Sequence, residues 1–268
     1  MNKQKCRGCG LCTQICLLEA IKSNPTPQKK GDKKAERPTV AIDETKCNYC
    51  GMCQAICPFG ALTLMVNGEP ASPVVNKESF PQLIREIVVD QNKVGKECLD
   101  VKDACPLDLI KVTADKNGKV AIEIDEESCP CCGVCETKFP EGAVQVKKTF
   151  SGNLKINSDK CPKDCHICVD VCPIPDVLVV SKNKKVQVNE THCVYCGACQ
   201  IACPEKDAFE LTRTGVRHTD VHSGAWNKAL EKVASTTAVS KELQSKTGQK
   251  RKESVKNRVL PEVLENEF

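Results

Sequence analysis

Residues 193–204 read CVYCGACQIACP, and the spacing of the four cysteines in that stretch decides the architecture. Cys193, Cys196 and Cys199 are separated by two residues each, Cys203 follows after three more, and Pro204 comes next. The run recurs at Cys47, Cys50, Cys53 and Cys57 before Pro58, and at Cys6, Cys9, Cys12 and Cys16 without the proline. Cys161, Cys165, Cys168 and Cys172, before Pro173, repeat it with one extra residue in the first gap. Three thiolates on so short a loop reach three corners of an inorganic cubane. The fourth corner comes from elsewhere, as in [4Fe-4S] sequences whose cysteine before proline serves the neighbouring cluster. Gly10, Gly51, Gly133 and Gly197 each follow a second cysteine, where a residue without Cβ lets the chain turn tightly. His166 takes that place in the odd run and reads as a surface side chain, because four cysteines already suffice.

Pairing the runs on this rule predicts four ligand sets: Cys6, Cys9 and Cys12 with Cys57; Cys47, Cys50 and Cys53 with Cys16; Cys161, Cys165 and Cys168 with Cys203; Cys193, Cys196 and Cys199 with Cys172. In CPCCGVCETKFP, Cys129, Cys132 and Cys135 hold the first three positions, and Phe139 stands where the fourth cysteine should precede Pro140. Upstream, Cys105 before Pro106 is a fourth-position cysteine, and counting back places Val101, Cys98 and Gly95 at the other three. The set Cys129, Cys132, Cys135 and Cys105 is therefore whole, while Gly95, Cys98, Val101 and Phe139 lack three ligands of four. Loss confined to one set predicts a middle unit with a single cluster and apolar side chains, Phe139 among them, in the vacated place. The expected total is five [4Fe-4S] clusters on twenty cysteines, with Cys98 and Cys131 as non-ligands behaving as small buried hydrophobes.

Composition agrees. Twenty-two cysteines in 268 residues are about one in twelve, while there are only 2 Tyr, 6 Phe and 1 Trp to build an aromatic core. The opening MNKQKCRGCG has no apolar stretch behind its basic start, so a secreted disulfide scaffold is not expected. No run of about 18 apolar residues suggests a membrane span, and a cytoplasmic location is expected. Zinc knuckles pair two CxxC motifs across a dozen or more residues, unlike these runs, so a zinc-stabilised scaffold is the weaker reading. The formal charge of +4 counts thiols as neutral. Each oxidised cluster with four thiolates carries about −2, so five bring the total to about −6.

The half-repeats pair into an α+β chain of three tandem ferredoxin-like (βαβ)2 domains. The expected divisions are 1–70 with two clusters and an insertion at 22–39, 80–150 with one, 151–217 with two, and a helical, basic tail at 218–268. NGEPASPVVNKESFPQ reads as a linker, and DLIKVTADKNGKVAIEID as a hairpin turning at its NG. Helices are expected to begin at the third cysteine of each run. In the tail, Trp226, Leu230 and Val233 share one helical face, which reads as a docking element; nucleic-acid binding through its KRK is disfavoured without stacking aromatics. Fully cysteine-ligated clusters leave no open iron corner, and no nucleophile-base pair, Walker loop or dinucleotide fingerprint is present. The expectation is a non-enzymatic electron relay, the middle cluster lying between the outer domains. Tyr49 and Tyr195, each before a second cysteine, should pack against clusters.

CPCCGVC, CPKDCHICVDVCP, CVYCGACQIACP and SGAWNKALEK, in that order, resemble the archaeal polyferredoxins, and within them the polyferredoxin subunit of tungsten- or molybdenum-dependent formylmethanofuran dehydrogenase of methanogens. The resemblance runs from about 85 to 235. It implies a subunit that passes low-potential electrons to a catalytic module reducing carbon dioxide to formylmethanofuran. The implied partners are a tungsten or molybdenum pterin subunit, a small ferredoxin subunit and heterodisulfide reductase. A polyferredoxin serving a hydrogenase is the alternative. Members commonly have four two-cluster domains, and this chain has three, one half empty.

Overall fold

The computed structural model describes residues 1–24, 34–101, 103–183, 185–205 and 207–221. The elements are short and occur in this order: α1 (Leu11–Ile15), β1 (Ile21–Asn24), β2 (Thr39–Ile42), α2 (Met52–Ala55), β3 (Leu64–Val66), β4 (Glu69–Ala71), α3 (Pro73–Asn76), β5 (Glu86–Val89), β6 (Ile110–Ala114), β7 (Val120–Ile124), β8 (Val144–Lys147), β9 (Phe150–Ile156), α4 (Ile167–Val171), β10 (Leu178–Val180), β11 (Val186–Val188), α5 (Ala198–Ala202) and β12 (Phe209–Val216). Among the described residues the strands form six antiparallel two-stranded sheets. This is an α+β fold of small sheets with few helices.

Twice a long-range pair encloses a local hairpin: β5 pairs with β8 around β6 and β7, and β9 with β12 around β10 and β11. In the first part of the chain β1 pairs with β2, and the ends meet through the Asn2 N–H donating to the Ala61 carbonyl at 2.8 Å. Helices of four or five residues are far below the length that is stable alone in water, so packing must hold them. Leu11 and Ile15 of α1 and Ala198 of α5 are buried. Helices α1, α2 and α5 start one residue before the third cysteine, because a glycine in the left-handed region caps each of them. Around the middle cysteine run only 3-10 turns form, at Lys96–Asp100 and Val134–Thr137.

Several expectations are corrected here. Strands β1 and β2 occupy 21–24 and 39–42, so the insertion expected at 22–39 is narrower and begins after Asn24. The stretch expected as a linker is structured: β3 and β4 make a hairpin over Asn67 and Gly68, whose φ values of 52 and 87 degrees suit a tight turn. Pro70 sits at an edge where its missing N–H costs nothing, α3 follows, and Phe80 is buried at 2 % exposure. The hairpin expected in DLIKVTADKNGKVAIEID is present as β6 and β7, with Gly118 at φ 77 degrees. The expected tail helix with Trp226, Leu230 and Val233 lies outside the described residues.

The cores depart from sequence order. One apolar cluster contains Leu11, Ile15, Phe59 and Phe80 together with Leu154, Ile174, Phe209 and Leu211, so the first and last parts of the chain share an interior. A second, separate cluster holds Cys98, Ala104, Val120, Ile122, Phe139 and Val144. The segment joining these parts is pinned by the chain after β12: Ile84 N–H donates to the Arg217 carbonyl at 2.9 Å, and Thr219 N–H to the Gln82 carbonyl at 2.9 Å. The buried Thr149 hydroxyl adds a bond to the Ile84 carbonyl at 3.3 Å.

Phe139 and Cys98 thus sit in an apolar interior that also takes in Cys135. Phe139→Ala is expected to destabilise the protein by about 3 kcal/mol through the lost burial and the cavity left behind, read as a lower midpoint in denaturant unfolding.

Candidate iron-sulfur sites

In four of the five cysteine runs two left-handed residues flank the second cysteine, and in the Cys161 run only the residue before it is left-handed. Before it come Gly8, Tyr49, Cys131, Asp164 and Tyr195, with φ between 49 and 65 degrees. After it come Gly10, Gly51, Gly133 and Gly197, with φ between 72 and 92 degrees. The first of these two positions was not foreseen, although Gly8 was the available signal. His166 has φ −137 degrees instead, and its exposed ring contacts the Asp164 carbonyl at 3.1 Å and Asp170 at 3.9 Å. Such alternation aims successive peptide N–H groups at the sulfurs, as in an anion-binding nest. The Cys131 N–H reaches Cys129 Sγ at 3.4 Å, Tyr195 N–H reaches Cys193 Sγ at 3.4 Å, and Ala61 N–H reaches Cys57 Sγ at 3.3 Å. Burial raises the pKa values of Cys9, Cys50, Cys132 and Cys196, and backbone N–H groups of Leu11, Met52, Val134 and Ala198 oppose that rise.

Three cavities gather thiols from distant parts of the sequence. Cys6, Cys9, Cys12 and Cys57 line one of about 330 Å³. Cys105, Cys129, Cys132 and Cys135 line a second of about 360 Å³. Cys172, Cys193, Cys196 and Cys199 line a third of about 360 Å³. The two other expected sets also converge: Cys53 feels the charges of Cys50, Cys47 and Cys16, and Cys168 those of Cys203, Cys165 and Cys161. Among the described residues no three His, Cys, Asp or Glu side chains stand close enough to hold a single metal ion. Four thiols spread around a cavity suit the corners of a cubane better than a tetrahedral zinc site with Zn–S near 2.3 Å. Buried donors without partners among the described residues, Arg7 Nε in the first site and Arg213 Nη1 beside the third, fit an electron-rich guest. The residues present therefore fit [4Fe-4S] clusters.

The two unassigned cysteines differ. Cys98 is fully buried in the second apolar cluster with Phe139 and Val101 and does not itself line any of the three cavities, although Cys135 and Ala104 of that cluster line the second. Cys131 is also fully buried, but beside Cys129. The Cys129 interaction draws its thiol down to about 7, with help from Thr149, Arg85 and Arg217, while Cys129 itself is pushed up. Tyr195 lines the third cavity, and burial together with its bond to Glu190 pushes its hydroxyl up to about 12. Tyr49, expected to pack against a cluster, is 55 % exposed.

The sites are joined through the backbone of their ligands. Arg85 donates from Nη2 to the Cys57 carbonyl at 2.7 Å and from Nε to the Cys129 carbonyl at 3.1 Å, linking the first site to the middle one. His192 Nδ1 lies 3.1 Å from the Cys132 carbonyl, linking the middle site to the run that begins at Cys193. The first and third cavities also meet directly: a Cβ placed on Gly10 would stand 2.5 Å from Ile201 Cδ1. The first and last parts of the chain also share a core directly, beside the contacts that each makes with the middle site. Arg213 escaped the sequence reading, yet a signal was available: in β12 the inward positions are Phe209, Leu211 and then Arg213.

Residues 5–61 match the family described as a 4Fe-4S dicluster domain, and residues 186–206 match the 4Fe-4S binding domain. A chain of the formate dehydrogenase, heterodisulfide reductase and formylmethanofuran dehydrogenase complex from Methanospirillum hungatei is similar in structure, with a TM-score of 0.72 and 30 % identity over 85 % of this chain and 82 % of that one. The polyferredoxin-like subunit of aliphatic sulfonate oxidoreductase from Pyrococcus furiosus is 33 % identical over 99 residues, 33 % of this chain and 56 % of its own length. Formate hydrogenlyase subunit 2 of Escherichia coli is 33 % identical over 109 residues, 38 % of this chain and 51 % of its own. This chain spans about half the length of these curated relatives. It is a [4Fe-4S] protein with ferredoxin-type domains. It belongs to the polyferredoxin-like proteins. Among the described residues no helix is long and apolar enough to cross a membrane.

Burial, then repulsion from neighbouring thiols, pushes Cys12, Cys135 and Cys168 up from 9.0 to about 12. Raised values favour the protonated thiol in the folded, cluster-free chain. That contribution to stability is complete below pH 9 and is lost as pH climbs through about 12. Ligation demands thiolates and so expels protons, about four per cluster. Iron uptake by the stripped chain is therefore expected to strengthen from pH 7 to pH 9, measured by competition against a chelator whose own titration is known. Phe139→Cys, which restores one of three absent ligands, is expected to add no iron.

Proposed function

We propose that this chain is an electron-carrying polyferredoxin subunit with three ferredoxin-type units and five [4Fe-4S] clusters, serving the formylmethanofuran dehydrogenase module of a methanogen complex. The observation that carries this reading is the convergence of cysteines from paired runs on each of three cavities: Cys57 with Cys6, Cys9 and Cys12; Cys105 with Cys129, Cys132 and Cys135; Cys172 with Cys193, Cys196 and Cys199. The other two sets, Cys47, Cys50, Cys53 with Cys16 and Cys161, Cys165, Cys168 with Cys203, complete the twenty ligands. When bound, such clusters accept and release single electrons at potentials tuned by hydrogen bonds to sulfur and by burial.

The chain's own residues hold, insulate and tune. Cysteines fix four corners of each site, N–H groups of the left-handed loops donate to their sulfurs, and Leu, Ile and Val side chains exclude water. Cys98 and Phe139 fill the place of the missing sixth site. On this reading the cysteines are occupied as ligands, and catalysis belongs to partner subunits. The neighbouring complex from Methanospirillum hungatei favours a partner set containing formylmethanofuran dehydrogenase and heterodisulfide reductase. The formate hydrogenlyase relative favours a second reading, service to a hydrogenase.

Anaerobic purification of the complex is expected to give roughly twenty iron and twenty acid-labile sulfide per chain, and to bring down subunits containing tungsten or molybdenum. Hydrogenase subunits in place of those metals would establish the second reading, and zinc in place of iron would overturn both. Cys105→Ala is expected to remove roughly four iron per chain, and Cys98→Ser none.

A further inference from the structure

Arg213 is a charged side chain in the interior. It is 2 % exposed, and its guanidinium lies 5.8 Å from the centre of the Phe150 ring. Its Nε donates to the Tyr195 carbonyl at 2.7 Å and its Nη2 to the Cys196 carbonyl at 2.8 Å. Its Nη1 is buried with no partner among the described residues. A buried cation is tolerated when it is paired and its donors are met. The charges that act on this one are thiols of two different sites: Cys193, Cys196 and Cys199 from one, and Cys9 from the other.

The loops of those two sites touch. A Cβ built on Gly197 would lie 3.3 Å from Arg213 Nη2 and 3.7 Å from the Cys9 carbonyl, and the same construction on Gly10 meets Ile201 of α5. Only glycines, in their left-handed conformation, let the two runs approach this closely with a guanidinium beside them. Arg85 and His192 reach the middle site through carbonyls of Cys57, Cys129 and Cys132, whereas Arg213 lies where the loops of the first and third sites meet.

We infer that Arg213 is a positioning residue shared by two sites, Cys6, Cys9, Cys12 with Cys57 and Cys193, Cys196, Cys199 with Cys172, and that its charge raises the reduction potentials of both. The inference rests on the reading that these cysteines hold clusters. A fixed positive charge in a dry interior stabilises whichever neighbouring state is more negative, and reduction adds one negative charge to a site. Because one guanidinium serves both sites, removing it moves both potentials in the same direction.

The test uses the full-length holoprotein, unaltered and as Arg213→Gln and Arg213→Lys, purified anaerobically. Iron and sulfide are measured first, then a redox titration is followed by paramagnetic resonance. The expected result is that Arg213→Gln lowers the midpoints of two centres by at least a tenfold change in the reduction equilibrium, about 59 mV for one electron. The remaining centres stay in place, and Arg213→Lys keeps the original values. Unmoved midpoints, or movement of one centre or of all of them, overturn the inference. Should Arg213→Gln lose iron, a loss of roughly eight per chain, two clusters' worth, with full iron in Arg213→Lys supports the shared role of the charge. Equal loss in both variants overturns it, because shape rather than charge would then be at work. Absence of iron from the unaltered protein would instead sink the cluster reading itself, before any variant is compared.

Discussion

The structure turns on a fourth thiol that reaches a cysteine run from elsewhere in the chain. A short loop can surround only three corners of a cubane, so Cys57 has to come to Cys6, Cys9 and Cys12, and Cys172 to Cys193, Cys196 and Cys199. That need brings α1 against α2 and α4 against α5, and the enclosing strands follow. Helices of four or five residues and sheets of two strands have little stability alone. The thiol-lined cavities among them are where the missing cohesion belongs, since binding free energy at such sites is folding free energy.

The middle part of the chain is the control for this argument. Around Gly95, Cys98, Val101 and Phe139, an apolar core forms from Cys98, Phe139, Val120 and Val144, and the surrounding turns are 3-10 rather than α-helical. The same β framework persists as β5 with β8 around β6 and β7. One interior can thus be held by side chains in place of inorganic sulfide, provided the strands already supply a frame.

Electrostatics sets the second theme. Burial raises the thiol pKa values, and neighbouring thiols raise them further, so gathering four thiolates in one cavity requires compensation. Part of it comes from peptide N–H groups aimed at sulfur by left-handed residues such as Tyr195 and Cys131. Part comes from arginines at the borders between sites. Arg85 and Arg213 both bind carbonyls of ligand cysteines rather than carboxylates, which leaves their charge uncancelled near the sulfurs.

The cysteine spacing and the proline after the fourth position were enough to read which thiols share a cavity, because loop reach is a local property. The phenylalanine at 139 in place of a cysteine pointed to apolar packing, and it lies in the second apolar cluster. Alternation in β12 and the NG in the β3 and β4 hairpin were also visible, although Arg213 and Asn67 were passed over. What spacing could not disclose is which units touch. The sharing of a core by the first and last parts, the exposure of Tyr49 and the placement of Arg213 between two sites all arise from packing of surfaces distant in sequence. A repeat pattern specifies each unit's interior, whereas the contact between units depends on a few exposed side chains and glycines, such as Ile201 and Gly10, whose meeting only the folded chain decides.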